Sequence, residues 1–432
     1  METAFVKIWG QTVGAVAWDG NTEIASFEYD PGFVAFNREL APLKMPLQRG
    51  EIYSFPELRE KKGSGLNTFR GLPGLLADSL PDKYGNQLIN VWLAQNGRPE
   101  NSMNPVEMLC FIGKRGMGAL EFEPAKFNEQ KGSFSLEISS LIDIAQKMLS
   151  QKKDFSTNLQ KDEEAALKAI LKIGTSAGGA RPKALIAYNE KTGVVRSEQT
   201  KVPKGFEHWL LKLDGVSDVQ LGASHGYGRV EMAYYLMAVD CGIDMMPSRL
   251  LEENNRTHFM TKRFDREAGN IKHHIQTWCA LKHFDYNDVG SFSYEQLFQT
   301  MRELRLTYPE AEQMFQRMVF NVLARNCDDH TKNFAFRLKK DDEWRLAPAY
   351  DLCHAYRPGS EWVNQHALSI NGKRKNITRD DLLKLAEAMN IKKAKQVIDQ
   401  INEVVKNWNT YAEEIKVKTE LRDAIEKTLV HL

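Results

Sequence analysis

The sequence predicts an α+β protein in which a β-rich part precedes an all-helical part, and three observations carry that prediction. Apolar residues alternate with a period of two in the first thirty or so residues and again between about 173 and 265. Beyond residue 270 they recur at helical spacing to near the C-terminus. Between the β-rich stretches, residues 126–165 are polar and rich in Lys, Gln, Ser and Asp, which reads as a boundary.

Taken in order, Val6 and Ile8 lead to a turn at Gly10, and Ala25, Phe27 and Tyr29 alternate after Asp19-Gly20-Asn21. Gly63-Ser64-Gly65 then precedes the segment Gly71 to Asp82, whose glycines and prolines punctuate an apolar run. Leu88, Ile89, Val91, Trp92 and Leu93 mark a buried helix over 86–94, and strand character returns at 119–122. Residues 1–125 therefore read as an N-terminal module. An amphipathic helix over 136–149 and a flexible charged segment around 152–162 follow. The second β-rich block holds strands at 184–188, 208–213, 249–253 and 258–263, the last two joined through Asn254-Asn255. Residues 230–239 form a helix within it, and 126–265 is assigned as one domain. In the third, 266–432, Pro309 opens a helix with Met314, Met318, Val319, Val322 and Leu323 on one face. Thr378 with Asp381 starts another as a capping box, and 396–432 continues as one or two amphipathic helices. No solenoid period is visible.

At 432 residues the chain exceeds one ordinary core, so two or three domains are expected. Fifty-eight basic against fifty-seven acidic residues give a net charge of +1, which supplies no field for steering nucleic acid or an anionic membrane. Five scattered cysteines lack the spacing of a zinc or redox motif and fit a reducing cytoplasm. Met1-Glu2-Thr3 runs directly into a strand-like segment rather than a leader, and no apolar run is long enough to span a bilayer.

The stretch that carries chemistry is Asn326-Cys327-Asp328-Asp329-His330-Thr331-Lys332-Asn333, with Asp351 eighteen residues past the Asn. Phosphoryl transfer needs an Asp to take the acceptor proton, an Asn for one magnesium, and a second Asp bridging metal to phosphates. Alone, that spacing also describes a solvated turn capped by Asp328. The order of features upstream decides between the two. Thr175-Ser176-Ala177-Gly178-Gly179-Ala180-Arg181-Pro182-Lys183 precedes a strand, and its glycines let backbone amides approach phosphate, although a plain hairpin turn would look the same. Lys212 lies inside the apolar strand His208 to Leu213, where a lysine needs an anionic partner or must snorkel to water. Glu231 at the start of the next helix is the partner a kinase would supply. Thr261 to Arg266 then falls where a hinge receives adenine.

These stretches resemble the HipA family of bacterial serine/threonine kinases, the toxins of HipBA-type toxin–antitoxin pairs, over essentially the whole chain. Its most specific parts here are Ser176–Lys183, Arg263-Phe264-Asp265-Arg266, the Asp328–Asn333 loop and Tyr350-Asp351; Leu75 to Asp82 and His366 to Lys373 also match, the latter without a physical role. The resemblance implies a two-lobed protein-kinase-like fold that uses ATP and Mg2+. It implies Asp328 as base, Asn333 and Asp351 as magnesium ligands, Lys212 on the phosphates, and the Lys262–Phe264 backbone on adenine. Ala177, Gly178, Gly179, Lys183, Glu231, His330 and Lys332 are implied beside the nucleotide. Ser176 is implied as an autophosphorylation site, with Thr175 beside it as the other acceptor; a dianion there would repel ATP. Asp329 stands where some members have Gly, placing an extra carboxylate near the site. His330 is read as shaping its loop, against metal-ligand or general-base alternatives, and His273-His274 as surface. By analogy the partner is a HipB-like helix-turn-helix antitoxin that brings the complex to operator DNA, and the substrate is a protein of translation such as an aminoacyl-tRNA synthetase. Two other functions stay open: a small-molecule phosphotransferase, and a kinase-like subunit that acts by binding antitoxin or DNA.

Overall fold

The computed structural model describes residues 2–60, 68–125, 138–150, 170–171, 174, 182–197, 201–216 and 226–432. Gly63-Ser64-Gly65, the segment 152–162 and the loop 175–181, with Ser176, Ala177, Gly178 and Gly179, lie outside the described residues. The chain divides into two compact units: Met1–Leu40 with Met45–Gly228 and Arg249–His274, and Ala41–Lys44 with Arg229–Ser248 and Ile275–Leu432.

In the first unit, strands β1 (Glu2–Ile8), β2 (Gln11–Asp19), β3 (Ile24–Tyr29), β4 (Ile52–Ser54) and β5 (Glu121–Glu123) form an antiparallel sheet in the order β4-β3-β2-β1-β5. The period-two pattern is the cause. Ala4, Val6 and Ile8 turn inward while Phe5 between them stays 54% exposed. Helix Pro105–Ile112 contacts β1, and its start is fixed by Asn104, whose side chain accepts from Glu107 N, with Pro105 at the first turn.

A second sheet follows: β6 (Lys183–Tyr188), β7 (Val195–Arg196), β8 (Glu207–Lys212), β9 (Ser248–Glu253) and β10 (Arg256–Lys262), ordered β7-β6-β8-β10-β9. Asn254 and Asn255 close β9 onto β10 with φ of 45° and 62°, the conformation a two-residue hairpin loop requires and Asn tolerates. Ile186, Trp209, Leu211 and Met260 share one core with Leu88 of the helix Lys83–Gln95 and Ile142 of the helix Ile138–Ser150. One stripe of each helix is thus buried beneath this sheet. The short strands β11 (Arg266–Glu267) and β12 (Ile271–Lys272) pair antiparallel, and Trp9 Nε1 donates to Lys272 O at 2.8 Å.

Placing His273-His274 on the surface was incorrect. Both are about 1% exposed, and His274 Nε2 sits 3.0 Å from Leu40 O. Burial pushes the His274 pKa down to about 4, so it is a neutral core residue at physiological pH. The second unit is helical, as expected, with one addition. β13 (His274–Thr277), β14 (Ala335–Leu338) and β15 (Trp344–Leu346) form a small sheet flanking the Asp328 loop. Helix Tyr308–Leu323 runs through this unit with Met314, Met318, Val319, Val322 and Leu323 all buried. Thr378 and Asp381 form the anticipated capping box at the start of Arg379–Met389.

Candidate active site

The loop that carries Asp328 is set by what ends the helix before it. After the cap at Ala324, Arg325 takes φ of 54°, and Cys327 N donates to Ala355 O at 3.0 Å. The chain then turns so that Asp328 keeps its side chain 49% exposed. Asn333 Nδ2 donates to Asp328 O at 2.6 Å, which closes the five-residue interval on itself. Asn333 N also donates to His330 O at 2.9 Å, and Thr331 Oγ1 to Phe284 O at 2.8 Å. Tyr350, beside Asp351, donates to Lys332 O at 2.7 Å and ties the two sequence motifs together. His330 Nε2 lies 3.7 Å from Asp328 Oδ1, with its ring against Tyr286. Lys332 Nζ stands 5.4 Å over the Tyr286 ring.

Asp329 points the opposite way, into the core. Its carboxylate accepts from Tyr294 Oη at 2.8 Å, from Ala367 N at 2.7 Å, and lies 3.0 Å from His366 Nδ1. Both members of the His366–Asp329 pair are buried. Burial alone lowers the His366 pKa, but the Asp329 charge more than reverses this and pushes it up to about 10, so the ring is an imidazolium. Burial, and then the same carboxylate, hold the Tyr294 hydroxyl well above its usual value and keep it a donor. Asp329 therefore braces the loop that presents its neighbour, rather than adding charge to the site. The segment beginning at His366, which had no role in the sequence, supplies two of its three contacts.

The bracing reaches Asp351. Asn321 Nδ2 donates to Tyr294 Oη at 3.0 Å, Asn326 Nδ2 to Asn321 Oδ1 at 2.9 Å, and Asn326 Nδ2 lies 3.5 Å from Asp351 O. Asp351 has φ of 52°, a left-handed conformation that a non-glycine residue adopts only when its surroundings enforce it. A cavity of about 10 Å³, room for a single water, lies among Arg317, Asn321, Asn326, Asp329 and Asn333. The donor set suits a hard cation. Asn333 has committed its amide nitrogen to the Asp328 carbonyl, which leaves its amide oxygen as the donor to add to the carboxylates of Asp328 and Asp351. Among the described residues no group of three or more His, Cys, Asp or Glu side chains forms a metal cage. A magnesium here would be held by Asn333 and Asp351 and would need further oxygen ligands from outside the protein.

The first unit holds the other expected residues. Lys212 ends β8, and its Nζ lies 5.8 Å over the Phe259 ring of β10. Its register partner on β6 is Lys183, which is buried with Nζ 3.8 Å from Asp82 Oδ2. Asp82 is also the N-cap of Lys83–Gln95, accepting from Gly85 N at 2.8 Å. Lys262, at the end of β10, pairs with Glu207, and Arg263 N donates to His208 O at 3.0 Å, which fixes the strand exit leading to Phe264. Asp265 is wholly buried, bidentate to Arg263 at 2.8 and 2.6 Å, paired with Arg266, and accepting from Gly118 N at 2.8 Å. Burial would raise its pKa; the two guanidiniums outweigh this and hold it below the usual carboxylate range. Glu231 lies in the first turns of the helix Tyr227–Asp240, in the second unit.

A β-rich unit bearing a strand lysine and a helical unit bearing an Asp–Asn loop followed by a metal-type Asp define a protein-kinase-like phosphotransferase. The family models agree. The HipA N-terminal domain matches residues 4–123, and the HipA-like C-terminal domain matches residues 175–408, over half of the chain. The chain belongs to the HipA family and is a HipA-like serine/threonine kinase. No curated protein matches it. Among solved structures it is similar to HipA of Shewanella oneidensis MR-1, from a toxin–antitoxin complex of HipA, HipB and operator DNA. That likeness has TM-score 0.67 at 16% identity and covers 98% of this chain and 94% of the other. The Helicobacter pylori proinflammatory kinase CtkA aligns with TM-score 0.33 at 14% identity over 51% of this chain and 90% of its own, too remote to carry an argument. Among the described residues no helix is long and apolar enough to cross a membrane.

Proposed function

We propose that the chain is an ATP- and magnesium-dependent serine/threonine protein kinase and the growth-arresting toxin of a type II toxin–antitoxin pair. The observation that carries this is the Asp328–Asn333 loop, closed by the 2.6 Å bond from Asn333 to Asp328 O and braced from behind by buried Asp329. In this reading Asp328 Oδ accepts the proton of a Ser or Thr hydroxyl as that oxygen attacks the γ-phosphorus of ATP. The bond to the β,γ-bridging oxygen breaks and ADP leaves. His330, 3.7 Å away, orients the Asp328 carboxylate. Asn333 and Asp351 would hold magnesium, which when bound neutralises phosphate charge. Lys212, Lys262 and Phe264 serve the phosphates and adenine, with Glu231 the partner of Lys212. Lys183, Ala177, Gly178, Gly179 and Lys332 complete the nucleotide side.

The near-neutral charge of the chain supports an arrangement in which a HipB-like antitoxin supplies most DNA contacts, and the similar Shewanella HipA is found in a complex with HipB and operator DNA. A translation protein such as an aminoacyl-tRNA synthetase is the proposed substrate and the cytoplasm the proposed location. Ser176 is the proposed site of autophosphorylation. Intact-mass analysis before and after incubation with ATP and magnesium tests the reading. A phosphate on wild type, mapped to Ser176 and absent from Asp328→Asn, is expected. Equal phosphorylation of both proteins would remove Asp328 as the base. ATP binding without transfer, to itself or to a cytoplasmic extract, would replace the kinase with a regulatory subunit.

A further inference from the structure

The helical unit contains a second cavity of about 140 Å³, lined in part by His366, the partner of Asp329. It is too small for a nucleotide and large enough for a tetrahedral oxyanion with a water or two. Its charged lining is of one sign: Arg325, Lys375 and the His366 ring, with Asn376 beside them and no carboxylate among the described residues that line it. Arg325 is fixed there by Nε donating to Thr428 O at 2.8 Å and by its guanidinium stacking 4.7 Å over Tyr356.

The buried wall makes this more than a basic surface. His366, one of the lining residues, is about 1% exposed and has Nδ1 committed to Asp329 at 3.0 Å, which leaves Nε2 as its other ring nitrogen. Nε2 is buried and is met only by the Cys327 sulfur, a weak acceptor. A buried donor served so weakly is a costly feature unless something accepts from it more strongly. Asp329 balances the His366 charge, but Arg325 and Lys375 remain without a counter-ion in the cavity. Arg374, whose Nε donates to His366 O at 2.6 Å, adds to the positive field.

We infer that this cavity is a binding site for a phosphate-class oxyanion, held by the Arg325 guanidinium, the Lys375 ammonium and His366 Nε2–H. A bound anion completes a chain of contacts from solvent through His366 and Asp329 to the catalytic loop, so its occupancy stabilises that loop. The site does not depend on the kinase reading, since binding can be measured without any transfer.

The test is calorimetric titration of inorganic phosphate at constant ionic strength into wild type, Lys375→Gln, Arg325→Gln and Lys212→Met. Lys375 is exposed, so its change tests the site without disturbing the fold. One phosphate per chain is expected for wild type and for Lys212→Met, whose altered residue belongs to the proposed nucleotide site. Each pocket variant should bind about tenfold more weakly or worse, the loss of one charge-assisted contact. No phosphate uptake by wild type overturns the inference. So does equal affinity in all four proteins, or loss confined to Lys212→Met, which would place the phosphate in the nucleotide site.

Discussion

Changing Asp329 to Asn removes one negative charge and almost no volume, and it isolates the charge on which the Asp328 loop is braced. The amide oxygen can take the Oδ1 place and still accept from the Ala367 amide, with the NH2 group donating to the Tyr294 hydroxyl oxygen, but His366 loses its counter-ion in a site where both side chains are buried. Removing one partner of such a buried pair costs about 3 to 5 kcal/mol. The pH dependence identifies the cause. The folded-state His366 pKa, pushed up to about 10, exceeds its unfolded value of about 6.5. The contribution of the pair is therefore whole below about pH 6.5 and disappears as pH climbs through about 10. Urea unfolding of wild type and Asp329→Asn across that interval, followed by tryptophan fluorescence, should show a stability difference that is largest near pH 6 and shrinks steadily toward alkaline pH. Titrations elsewhere in the molecule cancel in the difference. A gap that stays constant from about pH 6 to 10.5, or one below about 1 kcal/mol throughout, would refute the imidazolium–carboxylate brace.

Other outcomes follow from the same geometry. Asn333→Ala removes both the clasp on Asp328 O and the proposed cation donor, so phosphoryl transfer should fall by about a hundredfold or more, measured as single-turnover phosphate transfer, with the magnesium requirement shifted upward. Arg266→Met leaves Asp265 with one guanidinium instead of two in a wholly buried site and should destabilise the β-rich unit by about 3 to 5 kcal/mol, read from its urea transition. Gly228→Ala would drive a methyl into the Thr257 carbonyl; a loss of about 1 to 3 kcal/mol in thermal unfolding is expected.

What the sequence made legible was local. The Asp328-to-Asn333 interval could be read because the two residues that form the clasp are five apart and the clasp is intraloop. The β9–β10 hairpin could be read because Asn254-Asn255 is the composition that a loop of two positive φ values selects. The period-two and helical patterns placed most longer elements for the same reason. The role of Asp329 was hidden because its partners lie 35, 37 and 38 residues away, and no local pattern distinguishes an inward carboxylate from an outward one. The burial of His273-His274 was hidden because β12 is two residues long and β13 four, too short for alternation to show. β14 and β15 escaped notice for that reason as well. Lys183 was read as part of a glycine-containing loop, whereas it begins a fully buried strand opposite Lys212.

The Asp265 cluster bears on where this chain can be cut. Two family segments, 4–123 and 175–408, suggest two cassettes that could be separated and recombined. Yet the Asp265 carboxylate, just past the end of β10, hangs from Gly118 N, and Arg266 Nη1 donates to Gly118 O at 2.8 Å, both atoms of the first segment. A protein begun after residue 125 would keep Asp265 and both arginines but lose the backbone that organises them, with the exit of β10 frayed and facing water. The seam between the cassettes is a weld: the upstream one supplies part of the hydrogen bonding on which the downstream one depends.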